Sequence, residues 1–157
     1  MPAPPLPSRR SAQPLQRPLR TPRTASRVFI CDDDLDFADE LSSSLTMAGF
    51  DVRTLRDGKS PTEIFELFMP DIVLLDIYMP PPDGFEVMNH IVRDTRARPI
   101  SLMLASGADD GMLEVARQFC GARGLTPAAV FRKPIRLSEV LRICRGHDRV
   151  GEESSGS

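Results

Sequence analysis

Four apolar residues in succession, Ile72-Val73-Leu74-Leu75, run directly into Asp76. A half-exposed strand alternates apolar and polar residues, so an unbroken run predicts a strand buried on both faces. Strands of that kind belong to parallel sheets covered by helices on either side, which points the chain to an α/β fold. Asp76 stands where such a strand leaves the core, and in open α/β sheets that carboxyl edge is where ligands bind. The bland alternative is an acid that caps a turn, since Pro80-Pro81-Pro82-Asp83-Gly84 follows as turn punctuation.

The remaining chain repeats the same unit. Arg27 to Cys31 is a short apolar strand running into Asp32-Asp33-Asp34. Leu35, Ala38, Leu41, Leu45 and Ala48 then recur at helical spacing, and Gly49 closes that helix. Phe50 to Leu55 alternates like a strand with one wet face, which places it near a sheet edge. Ser60-Pro61-Thr62-Glu63 is a capping box with Pro at the first helical position, opening a helix that carries Ile64, Phe65, Leu67 and Phe68. After the central strand, Phe85, Val87, Met88, Ile91 and Val92 mark a helix from Gly84 to Asp94. Pro99 to Ala105 is a fourth strand, ending at Ser106-Gly107. A helix capped by Asp109-Asp110 follows to about Arg123, with Met112, Leu113, Val115, Ala116 and Phe119 inward and Gly124 as its stop. Ala128 to Arg132 is a fifth strand, running into Lys133-Pro134. The last helix opens at Leu137 or Ser138 and ends at Gly146. Five βα units with right-handed crossovers predict a doubly wound (βα)5 parallel sheet with helices on both faces.

Charge divides the chain unevenly. Residues 1–27 hold six arginines and no acid, whereas residues 28–157 hold 14 basic and 22 acidic residues, a net of −8. The Pro- and Arg-rich stretch 1–26 has too few large apolar residues to offset chain entropy, so it is expected to be a disordered arm. Residues 147–157 are expected to be a disordered tail, leaving 27–146 as the folded domain. No stretch approaches 18 consecutive apolar residues, so no membrane span is expected, and the N-terminus lacks the apolar centre of a signal peptide. Cys31, Cys120 and Cys144 are widely spaced and read as reduced residues of a cytoplasmic protein.

Polar residues fall at four strand ends: Asp32 and Asp33, Asp76, Ser106, and Lys133. Each alone has an ordinary explanation as a cap, a turn residue or a solvated charge. In a parallel sheet all four edges face the same way, so these side chains converge on one cleft. Carboxylates brought together raise one another's pKa unless a cation lies among them. Oxygen-only ligands favour a hard ion, and few carboxylates with waters suit Mg²⁺. A carboxylate flanked by Mg²⁺, an ammonium and a hydroxyl donor makes a phosphoryl-transfer site.

Residues Arg27 to about Gly146 thus resemble a response-regulator receiver domain of two-component signalling. The matching motifs are Asp32-Asp33, Leu75-Asp76-Ile77-Tyr78-Met79-Pro80 with Gly84 beyond it, Ser106-Gly107, and Phe131-Arg132-Lys133-Pro134. The resemblance implies a flavodoxin-like sheet of strand order 2-1-3-4-5, with Asp76 as phospho-acceptor. It further implies that Asp33, Asp76 and the backbone carbonyl of Tyr78 bind Mg²⁺, with Asp32 acting directly or through water. Ser106 would be the switch hydroxyl, Lys133 would pair with the phosphoryl group, and the Lys133–Pro134 bond would be cis. Such a domain is a signalling switch that catalyses only its own phosphoryl transfer and dephosphorylation.

Three departures stand out. Val130 occupies the position, three residues before the Lys, that usually carries an aromatic half of the switch. The segment from Ser106 to Lys133 is long, with Gly121 to Pro127 as its insertion, and a third acid, Asp34, follows the pair. A phosphatase of the haloacid-dehalogenase type would need a second Asp where Tyr78 stands, and no GxxxxGK[ST] is present for a P-loop. Val130 keeps a phosphorylation-independent adaptor as the alternative. Only some twenty residues follow Pro134, which suggests a stand-alone receiver with no DNA-binding domain. Its expected partners are a histidine kinase or histidine-phosphotransfer protein and an unidentified downstream protein, with a homodimer as a further option.

Overall fold

A computed structural model describes residues 25–79, 84–95, 99–107 and 110–154. The Arg-rich arm before Ala25, the Pro80–Asp83 turn and the Asp109 cap lie outside the described residues. Five strands, β1 (Arg27–Cys31), β2 (Asp51–Thr54), β3 (Ile72–Asp76), β4 (Ser101–Ser106) and β5 (Ala129–Arg132), alternate with five helices. These are α1 (Leu35–Met47), α2 (Pro61–Phe68), α3 (Gly84–Thr95), α4 (Asp110–Gly121) and α5 (Leu137–Ser154). All strand pairs are parallel and the order is β2-β1-β3-β4-β5. This is the expected doubly wound sheet.

Burial follows from position in that order. The central β3 is buried at every residue, and β1 and β4 are buried at all but their first. The edge strands β2 and β5 are mostly half-buried. Alternate residues of each inner strand feed two cores. Phe29, Cys31, Val73, Leu75, Leu102 and Leu104 meet α2, α3 and α4 through residues such as Phe65, Met88, Ile91 and Cys120. Val28, Ile30, Ile72, Leu74, Met103 and Ala105 meet α1 and α5 through Leu41, Leu45, Val140 and Cys144.

Local signals in the sequence set most boundaries. Ser60 and Glu63 exchange both capping-box hydrogen bonds with Pro61 in the first turn, as its spacing predicts. Gly49, Gly58 and Gly124 adopt left-handed φ values of 97°, 70° and 76° where helices or turns end. Several expectations fail at helix surfaces. Val115, read as inward, is 52% exposed, and Leu67 and Ala48, counted in the apolar spacing of their helices, are exposed as well. Apolar spacing defines a stripe wider than the sheet can cover, and these residues lie on its margins. Helix α4 stops at Gly121, with Gly124 closing a further turn.

The largest departure concerns the C-terminus. The tail expected from residue 147 is helical to Ser154, because α5 passes straight through Gly146. Gly146 is not in the left-handed region, and a helix carries an interior Gly at a cost of about 1 kcal/mol. Beyond it Asp148 accepts a hydrogen bond from the Ser26 hydroxyl, which ties that turn to the start of β1.

Candidate functional site

Strands β1, β3, β4 and β5 deliver their polar ends to one edge of the sheet. In a parallel ladder the side-chain direction alternates, so Cys31 points into the core while the next residues turn to the edge. Asp32 is 1% exposed and Asp33 is exposed, so the acidic pair comprises one buried and one open carboxylate. Asp76 is 3% exposed at the end of β3. One ligand oxygen from each of Asp32, Asp33 and Asp76 lies within 4.8 Å of the others.

Lys133 reaches this cluster from the end of β5. Its Nζ lies 2.8 Å from Asp32 Oδ2 and 2.9 Å from Asp76 Oδ2. The other oxygen of Asp76, Oδ1, accepts the Tyr78 N–H at 3.1 Å, and Asp32 Oδ1 accepts the Asp34 N–H at 2.9 Å. The Lys133–Pro134 peptide is cis, and the Lys133 N–H donates to the Ser106 carbonyl at 3.0 Å. Ser106 is fully buried, one residue beyond the register partner of Asp76 on β4. All of Asp32, Asp33, Asp76, Ser106 and Lys133 are therefore at the same sheet edge. Tyr78 contributes its backbone there, while its side chain is 68% exposed.

Burial pushes the Asp76 carboxyl above the ordinary carboxylate range, and the charge of Asp32 adds to the rise. The bonds from Lys133 and the Tyr78 N–H offset only part of it. Burial also works against the Lys133 ammonium, but its two carboxylate partners outweigh this and hold it above its usual value. The neighbouring Cys31 thiol is pushed far up by burial and by the same three acids, so it takes no part as a thiolate.

The donor set fits a hard divalent cation. Its atoms are all oxygens, they are close together, and two carboxylates are fixed by backbone N–H groups. Asp32 Oδ2 is buried and accepts no aligned hydrogen bond, its contact with Lys133 being an ion pair only. Three acids against one ammonium leave negative charge that a cation would neutralise.

Phe37 was not legible as a site element, and Gly84, named as part of the motif, has a steric role that the sequence did not show. Phe37, in the first turn of α1, lies with its ring centroid 5.9 Å from Lys133 Nζ. Its apolar neighbours in sequence suggest only helix packing, and the available signal is that first-turn residues of α1 stand at the carboxyl edge. Gly84 sits so close to the exit of β3 that a Cβ there would be 2.5 Å from Ile77 Cα and 2.8 Å from the Asp76 carbonyl oxygen. Val130, the departure from the aromatic pattern, is half-buried against the core that contains α3 and α4.

Comparison with known proteins agrees with this geometry. The family profile of the response regulator receiver domain matches residues 28–141. Among solved structures, a response regulator from Colwellia psychrerythraea is 30% identical with a TM-score of 0.60, covering 80% of this chain and 99% of that one. Vibrio cholerae chemotaxis protein CheY4 shares the fold at 21% identity and a TM-score of 0.63, covering 77% of this chain and 97% of that one. The DNA-binding dual master transcriptional regulator RpaA of Synechocystis is 36% identical over 50% of this chain and 32% of its own length. The response regulator MprA of Mycolicibacterium vanbaalenii is 31% identical over 73% of this chain and 47% of its own. The chain thus spans about a fifth to a half of the length of the curated relatives it matches.

These relatives correct the partner set drawn from the sequence. A receiver with no DNA-binding domain and only protein partners was expected from the short stretch after Pro134. Several curated relatives are instead named as transcriptional regulators, one of them as DNA-binding, so that stretch carries no conclusion about output. Among the described residues no helix is long and apolar enough to cross a membrane. The motifs, the sheet order and the matched span agree: the chain belongs to the response regulator receiver domain family of two-component signalling.

Proposed function

We propose that Asp76 accepts a phosphoryl group and that this modification switches the domain. The observation that carries the reading is the placement of Asp76, with Oδ2 on Lys133 Nζ at 2.9 Å and Oδ1 on the Tyr78 N–H, beside Asp32 and Asp33. One carboxylate oxygen attacks phosphorus, and an O–P bond forms as the bond to the donor breaks. The departing group, a phosphohistidine imidazole or acetate from acetyl phosphate, leaves with the bonding electron pair. No general base is needed, because an ionised carboxylate is already nucleophilic.

Asp33, Asp76 and the Tyr78 carbonyl would hold Mg²⁺, with Asp32 ligating directly or through water. The ion supplies charge neutralisation for the phosphoryl oxygens. Lys133 releases Asp76 Oδ2 and takes a phosphoryl oxygen, and the buried Ser106 hydroxyl donates to another. Phosphorylation adds about −1.5 to −2 charges. Drawing Ser106 and Lys133 onto the new group biases the adjoining loops between two arrangements, and water ends the signal by hydrolysing the acyl phosphate. The buried, unpaired Cys31, Cys120 and Cys144 fit a reducing, cytoplasmic setting.

Intact mass after incubation with acetyl phosphate and Mg²⁺ tests the reading. One added phosphoryl group that requires Mg²⁺ and is absent in Asp76→Asn is expected. A folded protein that takes no phosphoryl group would leave the acids as a relic of the fold and favour a phosphorylation-independent adaptor.

A further inference from the structure

Lys133 is held on two sides by carboxylates, but its ammonium has a third neighbour that is not an acid. The Phe37 ring centroid lies 5.9 Å from Nζ, within the range at which a ring face attracts a cation. Phe37 is not free to drift. It packs against the core formed by α1, α5 and their strands, alongside Ile135 and Leu137. Its backbone N–H donates to Asp34 Oδ1, the side-chain cap of α1. The Asp34 N–H in turn donates to Asp32 Oδ1, and Asp32 Oδ2 meets Lys133. A closed circuit results: Asp32 to Asp34, Asp34 to Phe37, Phe37 to Lys133, and Lys133 back to Asp32.

We propose that Phe37 is a positioning residue that keeps the Lys133 ammonium in the acid cluster through the face of its ring. The inference rests on the phosphoryl-acceptor reading of Asp76. When Asp76 becomes an acyl phosphate, Lys133 loses its bond to Oδ2 and must find a phosphoryl oxygen. The aliphatic stem of Lys133 is flexible and its side chain is 26% exposed, so water competes for the ammonium. A ring fixed by packing and by the helix cap restrains Nζ while one of its two carboxylate partners is exchanged. It does so without adding a negative charge that would repel the incoming phosphoryl group, which a third acid at this position would do.

The test replaces Phe37 with Leu, with Tyr, and with phenylalanines carrying one to three ring fluorines. Fluorination drains the negative ring face while leaving apolar packing nearly unchanged, so a merely structural role is insensitive to it. Two quantities are read in the full chain. One is the rate of phosphorylation by acetyl phosphate with Mg²⁺. The other is the NMR shift of the Lys133 side-chain protons, which the ring current displaces in the unmodified protein. The expected result is a stepwise fall in rate along the fluorine series, about threefold to tenfold for Leu, and near-normal behaviour for Tyr. The Lys133 proton shifts should move toward free-lysine values in Phe37→Leu. A flat fluorine series in a protein that labels on Asp76 would overturn the proposal. Should the unsubstituted protein take no phosphoryl group, the phosphoryl reading falls instead. The NMR shifts then decide for Phe37 alone, with unchanged Lys133 signals in Phe37→Leu refuting the contact.

Discussion

Replacing Gly84 with Ala probes how tightly the end of β3 is gripped by α3. A Cβ at this position would stand 2.5 Å from Ile77 Cα, 2.7 Å from the Ile77 carbonyl oxygen and 2.8 Å from the Asp76 carbonyl oxygen. Comfortable contact begins near about 3.5 Å, so a separation of about 1 Å must be created. All three atoms are backbone, and no rotamer change relieves them. Ile77 is pinned to β4 by its N–H on the Ala105 carbonyl at 2.9 Å, and Gly84 is bonded to the Ile77 carbonyl at 3.3 Å. Either α3 retreats, loosening the fully buried Val87, Met88 and Ile91, or the strand end shifts and carries Asp76 with it. Overpacking of this kind costs about 1–3 kcal/mol, and a lost hydrogen bond about 1 kcal/mol more. The better helix propensity of Ala returns at most about 1 kcal/mol, for a net loss of about 2–3 kcal/mol. Urea unfolding followed by circular dichroism, suited to a chain without Trp, should show the midpoint falling by about 1–2 M. The matched control is Gly146→Ala, where nothing lies within 4 Å of the new Cβ and the helix passes through. That variant should gain about 0.5–1 kcal/mol. A Gly84→Ala protein within about 0.5 kcal/mol of the original, or one stabilised like Gly146→Ala, refutes the reasoning.

The acid cluster yields three further expectations. Asp76→Asn should stabilise the unphosphorylated fold by about 1–2 kcal/mol at pH 7, because burial and the Asp32 charge disfavour the ionised carboxyl and Lys133 offsets only part of that. The folded pKa of Asp76 is raised, so the penalty should shrink as pH falls through the folded value and be gone near the unfolded value of 3.8, and denaturation at pH 4 should show the two proteins converging. Mg²⁺ at ten times its Kd should add about 1.4 kcal/mol, read as a rise in Tm that disappears in Asp33→Ala. Lys133→Met should lose about 2 kcal/mol at pH 8, since it leaves Asp32 and Asp76 buried without their cation. Removing the ammonium lifts Asp76 further, so stability is lost as pH rises through its folded value, and a smaller deficit at pH 5 is the signature to measure.

How much of this was legible beforehand depended on the range of the interactions. Ile72 to Leu75 announced a central strand because full burial removes alternation, and the Ser60–Glu63 capping box announced its helix because both bonds close within four residues. The convergence of Asp32, Asp33, Asp76, Ser106 and Lys133 was legible too, since parallel pairing sends every strand's carboxyl end the same way. Gly146 misled because glycine signals only freedom, and whether a helix stops there depends on contacts beyond it, here Ser26 with Asp148. Val115 misled because periodicity cannot tell how far the sheet reaches under a helix.

The site itself shows the sharpest boundary between pattern and geometry. The adjacent acids Asp32 and Asp33 are equivalent as letters, yet one is buried on Lys133 and the other open to solvent, because strand direction alternates at the end of β1. That split gives them different contacts: Asp32 meets the Lys133 ammonium and the Asp34 N–H at the cap of α1, whereas Asp33 is exposed beside them. Gly84 is likewise read from sequence as a helix start, though its necessity comes from Ile77, which reaches it across a turn. Both cases follow one rule. Residues whose neighbours are close in sequence declare their roles, while residues defined by what comes back to meet them from another strand need the fold.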